Sequence, residues 1–209
     1  MEVVLAVVLV CAVSAASFGP LADVVAPSKE RPQLTNLLST PFERSLPRAK
    51  VVAFVRSKVL DDGGYAIIDE VTRREAALQV ARDKNPGDKT ESAYHGLKFR
   101  LRLALAFGRI GVAKRMASPA TKSYAVQAME SGIDAMRDAA KELEIVEKKT
   151  PPKANEVKSA QLWDFHRRLL AIWDRAKTSD DTGLIARVDI KELAKECLGG
   201  GQGSGVGGK

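Results

Sequence analysis

Apolar residues recur at three- and four-residue spacing through most of residues 49–198, the period of helices with one buried face. No alternating apolar–polar run is long enough to compete as a strand. Punctuation divides this stretch. A first helical region covers residues 49–84, with a break left open at Asp61-Asp62-Gly63-Gly64, which reads as a turn. "NPGDKTES" is a loop ending in N-cap candidates, and a second helix covers residues 91–117. Ser118 and Pro119 read as N-cap and first turn of a third helix that runs to residue 148. That helix puts Val126, Met129, Ile133, Met136, Ala140 and Leu143 on one face. The loop "KKTPPKANE" leads to a fourth helix over residues 155–176, with Leu162, Phe165, Leu169, Ile172 and Trp173 facing in. A shorter fifth element covers residues 185–198. Four long amphipathic helices with short connections predict an all-α, up-down four-helix bundle over residues 49–178, followed by a short extra C-terminal helix within residues 179–198.

The flanks are of another kind. "MEVVLAVVLVCAVSAAS" has an apolar core from Val3 to Val13 and then small residues, which predicts a signal-type leader over residues 1–16 with cleavage near Ala16. The run is short for a membrane span, and its start carries Glu2 and no Lys or Arg. Residues 17–48 hold Pro20, Pro27, Pro32, Pro41 and Pro47, which block helix and favour an extended arm. That arm is either a disordered leader or a segment that orders on docking. The tail, residues 199–209, is glycine-rich and of low complexity.

Charge now changes the picture. Lys and Arg number 33 against 26 Asp and Glu, a net charge of +7, which points to an acidic partner: nucleic acid, an anionic membrane or an acidic protein surface. The second helix concentrates the question. "YHGLKFRLRLALAFGRIGVAKRMAS" carries Lys98, Arg100, Arg102, Arg109, Lys114 and Arg115 and no acid. On a helical wheel Lys98, Arg102 and Arg109 share one side, Arg100 points away, and Leu97, Leu101, Ala104, Leu105, Gly108 and Val112 make a broad apolar face. The charges therefore flank a core stripe and form no dense recognition face. With no aromatic stacking set and an export-type leader, nucleic acid is disfavoured. A membrane span would bury several charges in hydrocarbon. Gly108 and Gly111 permit close helix approach. The contact candidates for an acidic protein partner are these six residues with Arg167 and Arg168 on the fourth helix.

Catalytic chemistry is sparse. His166 reads as a partly buried histidine satisfied by a neighbour, with a metal or proton-shuttle role as the alternative, and His95 sits at a helix start. No H-E-x-x-H, C-x-x-C or G-x-S-x-G occurs, and "GQGSGVGGK" has no strand before it or helix after it to make a phosphate loop. If the leader carrying Cys11 is removed, Cys197 is the one thiol left, which leaves no intramolecular disulfide and no cysteine zinc site. Around "TSDDTGLIARVDIKEL", taking Gly183 as a loop glycine places Thr178, Asp180, Thr182 and Asp189 at side-chain ligand positions for calcium. Thr stands where the first Asp is wanted and Asp where a bidentate Glu is wanted, so Asp180 and Asp189 are weak calcium candidates beside the reading of a capped turn. No enzyme constellation is visible. What stays open is a docking subunit for an acidic partner, a secreted helical bundle binding an acidic ligand, or a weak calcium-binding helical protein.

The order of leader, proline-containing arm and basic helical bundle resembles PsbQ-type extrinsic subunits of photosystem II. The most specific likeness is "GLKFRLRLALAF", which is similar to the family's L-R-L-R-type stretch, with "SGIDAMRDAAKEL", "SPATKS" and "KTPPKANE" similar to its third helix and interhelical loops. It covers roughly residues 51–176; the fifth element and the glycine tail lie outside it. The resemblance implies a non-catalytic protein of the plastid, on the lumenal side of the thylakoid membrane, which docks on photosystem II, stabilises the oxygen-evolving centre and helps retain its calcium and chloride. It implies no catalytic residue and no cofactor held by the chain itself.

Overall fold

The computed structural model describes residues 46–56, 64–179, 181 and 183–199, with the side chain of Lys89 left aside. The leader, the arm up to residue 45, the turn at 61–63, Asp180, Thr182 and the glycine tail from 200 lie outside the described residues. Among those described, seven α-helices form: α1 (Arg48–Arg56), α2 (Gly64–Lys84), α3 (Asp88–Arg115), α4 (Lys122–Lys149), α5 (Ser159–Thr178), α6 (Leu184–Arg187) and α7 (Ile190–Leu198). A 3₁₀ turn at Pro119–Thr121 leads into α4. The fold is all-α; its one β feature among the described residues is an isolated antiparallel bridge between Pro47 and Glu156.

Helix α3 sits at the centre because it is apolar on more than one face. Leu97, Leu101 and Ala104 are buried as the wheel expects, but so are Phe99, Leu103, Ala106, Phe107 and Ile110 on the remaining sides. A helix buried that widely needs neighbours on several sides. It finds α2 and α4 as its principal partners, α4 in turn packs on α5, and α7 packs on α5 and α1. Side-chain pairs fix each of the long neighbours as antiparallel: Arg82 with Glu91, Arg102 with Glu75, Lys98 with Glu142, and Trp163 with Glu144. Direct packing of α2 on α5 is not among the principal contacts of the described residues. An aromatic row crosses the middle: Phe54 of α1 meets Phe107 edge-on at 6.1 Å between ring centroids, and Phe107 meets Phe165 of α5 at 5.8 Å. Such pairs add about 0.5–1.5 kcal/mol to the burial they provide.

The expected inner faces of α4 and α5 hold. Met129, Ile133, Met136, Ala140 and Leu143 are buried, as are Leu162, Phe165, Leu169 and Ile172, while Val126 and Trp173 are partly buried against the core. Trp173 also donates its indole N–H to the Val126 carbonyl at 3.1 Å. Helix α3 starts three residues earlier than expected, at Asp88, and two further differences have a visible cause. Helix α5 starts at Ser159 rather than 155, because Ala154 and Asn155 form a turn and Glu156 is drawn into the bridge with Pro47. Arg48 donates its backbone N–H to Asn155 at 2.9 Å, and Val157 donates to Leu46 at 3.1 Å. Leu46, at the described end of the proline-containing arm, is 1% exposed in this clasp. The fifth element is two helices, broken at Val188 and Asp189, because Asp189 caps α7: its Oδ1 accepts the Glu192 N–H at 2.9 Å.

The α2–α3 crossing is set by a close backbone approach. A Cβ on Gly64 would stand 2.5 Å from the Gly108 carbonyl oxygen and 2.9 Å from Val112 Cγ2. Neither the carbonyl nor the helix behind it can yield without separating the two helices. Gly64→Ala is therefore expected to lower unfolding stability by about 1–3 kcal/mol despite alanine's better helix propensity. Gly96, whose Cβ would meet nothing within 4 Å, supplies the contrast: Gly96→Ala is expected to raise stability by up to about 1 kcal/mol. Urea unfolding followed by circular dichroism measures both, and equal signs would remove the crossing as the cause.

Candidate functional site

Because α3 carries a basic stripe and no acid in residues 94–118, its charges must be met by other helices wherever they approach the core. Helices α2 and α4 do this. Glu142 of α4 is buried and its two oxygens are shared: Oε1 lies 2.7 Å from Lys98 Nζ and Oε2 lies 2.6 Å from His95 Nδ1. Arg102 lies between two helices, its Nε 2.7 Å from Glu75 Oε1 of α2 and its Nη1 3.8 Å from Asp138 Oδ2 of α4. The Nε–Oε1 approach is close but off the N–H direction, so it acts as a charge contact more than a hydrogen bond. Toward the start of α3, Arg82 grips Glu91 with both prongs at 2.6 and 3.1 Å and lies 4.6 Å from the Tyr94 ring centroid. Tyr94 donates its hydroxyl to Gln79 at 2.8 Å.

The electrostatics follow from this seam. Burial is the largest influence on Lys98 and pulls its ammonium down, yet the hydrogen bond to Glu142 and that carboxylate's charge outweigh it and hold the lysine above its ordinary value. Burial pushes the Glu75 carboxyl up against the pull of Arg102 and Lys98, helped by Asp138 and Glu142. The hydrogen bond from Arg82 leads the causes that lower Glu91. Between α2 and α3 an open cleft of about 380 Å³ is lined by Glu75, Gln79, Tyr94, Lys98 and Arg102. Its charges are already engaged with one another, so the cleft reads as the wet edge of a structural network.

The eight contact candidates are dispersed by the fold. Arg100 is 3% exposed, which corrects its place among surface contacts. The wheel had it pointing away from the Lys98 side, and that side of α3 turns out to be interior as well. Lys98 and Arg102 face α4 and α2 as described. Arg109 is half-buried and Arg115 exposed. Lys114 donates to the Val188 carbonyl at 2.9 Å, pinning the link between α6 and α7. On α5, Arg167 pairs with Asp164 at 3.0 Å, and Arg168 pairs with Asp164 at 3.2 Å and Glu196 at 2.8 Å. Of the two calcium candidates the structure describes one. Asp189 is committed to the α7 cap, and Asp180 lies outside the described residues. Neighbouring Asp181 accepts the Gly183 N–H at 3.0 Å and pairs with Arg187. Among the described residues no group of three or more His, Cys, Asp or Glu is placed to hold a metal ion. His166 packs edge-on against Trp163, with ring centroids 5.5 Å apart.

Sequence reasoning missed Glu142 and Glu75 as the partners of the basic helix. The only signal for them was the need itself: a basic helix that is also apolar on more than one face must be neutralised from outside. Comparison of the chain with family models, with curated proteins and with solved structures gave no match.

Two outcomes follow for stability. Glu142→Gln leaves Lys98 and His95 without their shared carboxylate and is expected to cost about 1–3 kcal/mol in urea unfolding. Part of that loss should persist at about 0.5 M NaCl, because Glu142 itself is buried; a loss abolished by salt would place the interaction at the surface. His166 is held below its ordinary value near 6.5 chiefly by burial, then by the Arg137 charge, against a smaller pull from Asp134. The unfolded chain thus takes up the proton first, so stability is complete above that ordinary value and falls as pH drops through it. A His166→Gln variant is expected to lose that part of the slope in urea midpoints measured across the imidazole range. An unchanged slope would assign it to other groups.

Proposed function

We propose that this chain is a non-catalytic extrinsic subunit of the PsbQ type, a four-helix bundle of α2 to α5 that docks on the lumenal face of photosystem II. In this reading it stabilises the oxygen-evolving centre and its retention of calcium and chloride, and binds no cofactor of its own. The observation that carries the reading is the clasp at Leu46–Arg48. Leu46 and Pro47, which lead into α1, meet the α4–α5 loop: Pro47 forms an antiparallel bridge with Glu156, and Leu46 accepts the Val157 N–H. A proline-containing arm leading into a basic helical body is the order on which the resemblance rests. The internal seam adds support of a different kind. With Lys98 and Arg102 engaged by Glu142 and Glu75, the net positive charge of the chain is left to other surface residues for electrostatic docking.

A peripheral, charge-held subunit should leave isolated thylakoid membranes when washed with about 1 M NaCl, where the screening length is about 3 Å, and rebind on dilution. Immunoblots of pellet and supernatant give the measurement. Retention in the pellet through both salt and alkaline washing would end the peripheral reading. A tagged full-length chain that accumulates outside the cell rather than in the plastid would favour a secreted bundle for an acidic ligand.

A further inference from the structure

We infer that the end of the helical body formed by the C-terminus of α4, the α4–α5 loop and the start of α5 is the surface that contacts a carboxylate-rich face of a partner protein. The inference rests on the docking reading and adds the place. Residues 147–158, "EKKTPPKANEVK", hold four lysines and two glutamates. Lys148, Lys149, Lys153 and Lys158 are all exposed. The glutamates are turned inward onto the chain's own donors. Glu147 accepts the Ser159 N–H at 2.7 Å and the Ser159 hydroxyl, which satisfies the start of α5. Glu156 is 6% exposed and accepts the Lys153 N–H at 2.6 Å. One turn back on α4, Glu144 accepts the Trp163 indole N–H at 2.6 Å. Glu91 of α3 feels the Lys149 charge but is already gripped by Arg82. The carboxylates are thus committed to internal hydrogen bonds while the ammonium groups stand in solvent.

The loop under these lysines is fixed. Arg48 donates its backbone N–H to Asn155 and its guanidinium to the Ala154 carbonyl, Val157 donates to Leu46, and Pro151 and Pro152 restrict the backbone between. Docking on such a surface orders little new backbone, which limits its entropic cost. The chemistry of the patch favours protein over lipid. None of the exposed large apolar residues, Tyr65, Val80, Tyr124 and Leu170, lies in this segment, and Val157 is 1% exposed, so nothing is available to insert among acyl chains.

The test uses the full chain and a defined probe, poly-L-glutamate, at low salt, with vesicles of phosphatidylcholine and a minority of phosphatidylglycerol as the competing surface. The combined variant Lys148→Gln, Lys149→Gln, Lys153→Gln and Lys158→Gln is expected to bind the polypeptide about tenfold more weakly, the sum of four modest exposed charge contacts. Lys122→Gln with Lys177→Gln, at the other end of α4 and α5, is expected to stay within about twofold. Unchanged circular dichroism melting shows that both variants fold. Equal loss in the two variants, or no loss in the first, overturns the inference, as does tighter lysine-dependent binding to the vesicles than to the polypeptide. The two readings fail separately. A chain that salt does not release from thylakoids removes the docking subunit and leaves the polyglutamate result standing. A combined variant with undiminished affinity removes this surface and leaves the docking subunit standing.

Discussion

Helix α3 can occupy the centre of this fold only because its neighbours carry the acids that its stretch from Tyr94 onward lacks. A helix with Phe99, Leu103, Phe107 and Ile110 on sides beyond its expected stripe is driven inward by burial. Its lysines and arginines oppose that burial unless each meets a carboxylate or reaches water. Glu142 and Glu75 answer from α4 and α2, and in doing so they fix the register of both helices against α3. The burial of α3, the antiparallel order of its neighbours and the polar cleft beside Glu75 are consequences of one requirement, that basic residues in an apolar helix be neutralised across the interface.

Much of this was legible from the chain. The period of apolar residues located α4 and the inner faces of α4 and α5 nearly residue by residue, since each buries a single stripe. Punctuation placed the breaks at Asn85-Pro86-Gly87, at Ser118-Pro119 and at Pro151-Pro152. What escaped was set by contacts far along the chain. His95 and Glu142 are 47 residues apart, and no pattern within either helix announces the pair. Arg100 was read as a surface charge because a wheel shows which side a residue faces and not how many sides are covered. The late start of α5 has the same origin: residues 155–157 have a helix-compatible sequence but are drawn into pairing with Leu46 and Arg48.

The candidate site was less legible than the fold. Charge counting directed attention to the most basic helix, yet density of charge along a sequence differs from availability of charge on a surface. Availability depends on where the acids point. In α3 Lys98 and Arg102 meet acids from neighbouring helices; around the α4–α5 loop the acids serve backbone and side-chain donors, and the cations are left outside. Two basic segments acquire opposite roles through the orientation of a few carboxylates.

The clasp between Leu46–Arg48 and the α4–α5 loop joins groups 106 residues apart. Contacts of such long sequence separation close a large loop and form late, after the helix pairs between them have assembled. A chain emerging from its N-terminus would therefore keep this first pairing edge unsatisfied until the start of α5 is made, and the packing of α7 on α1 spans a longer separation still.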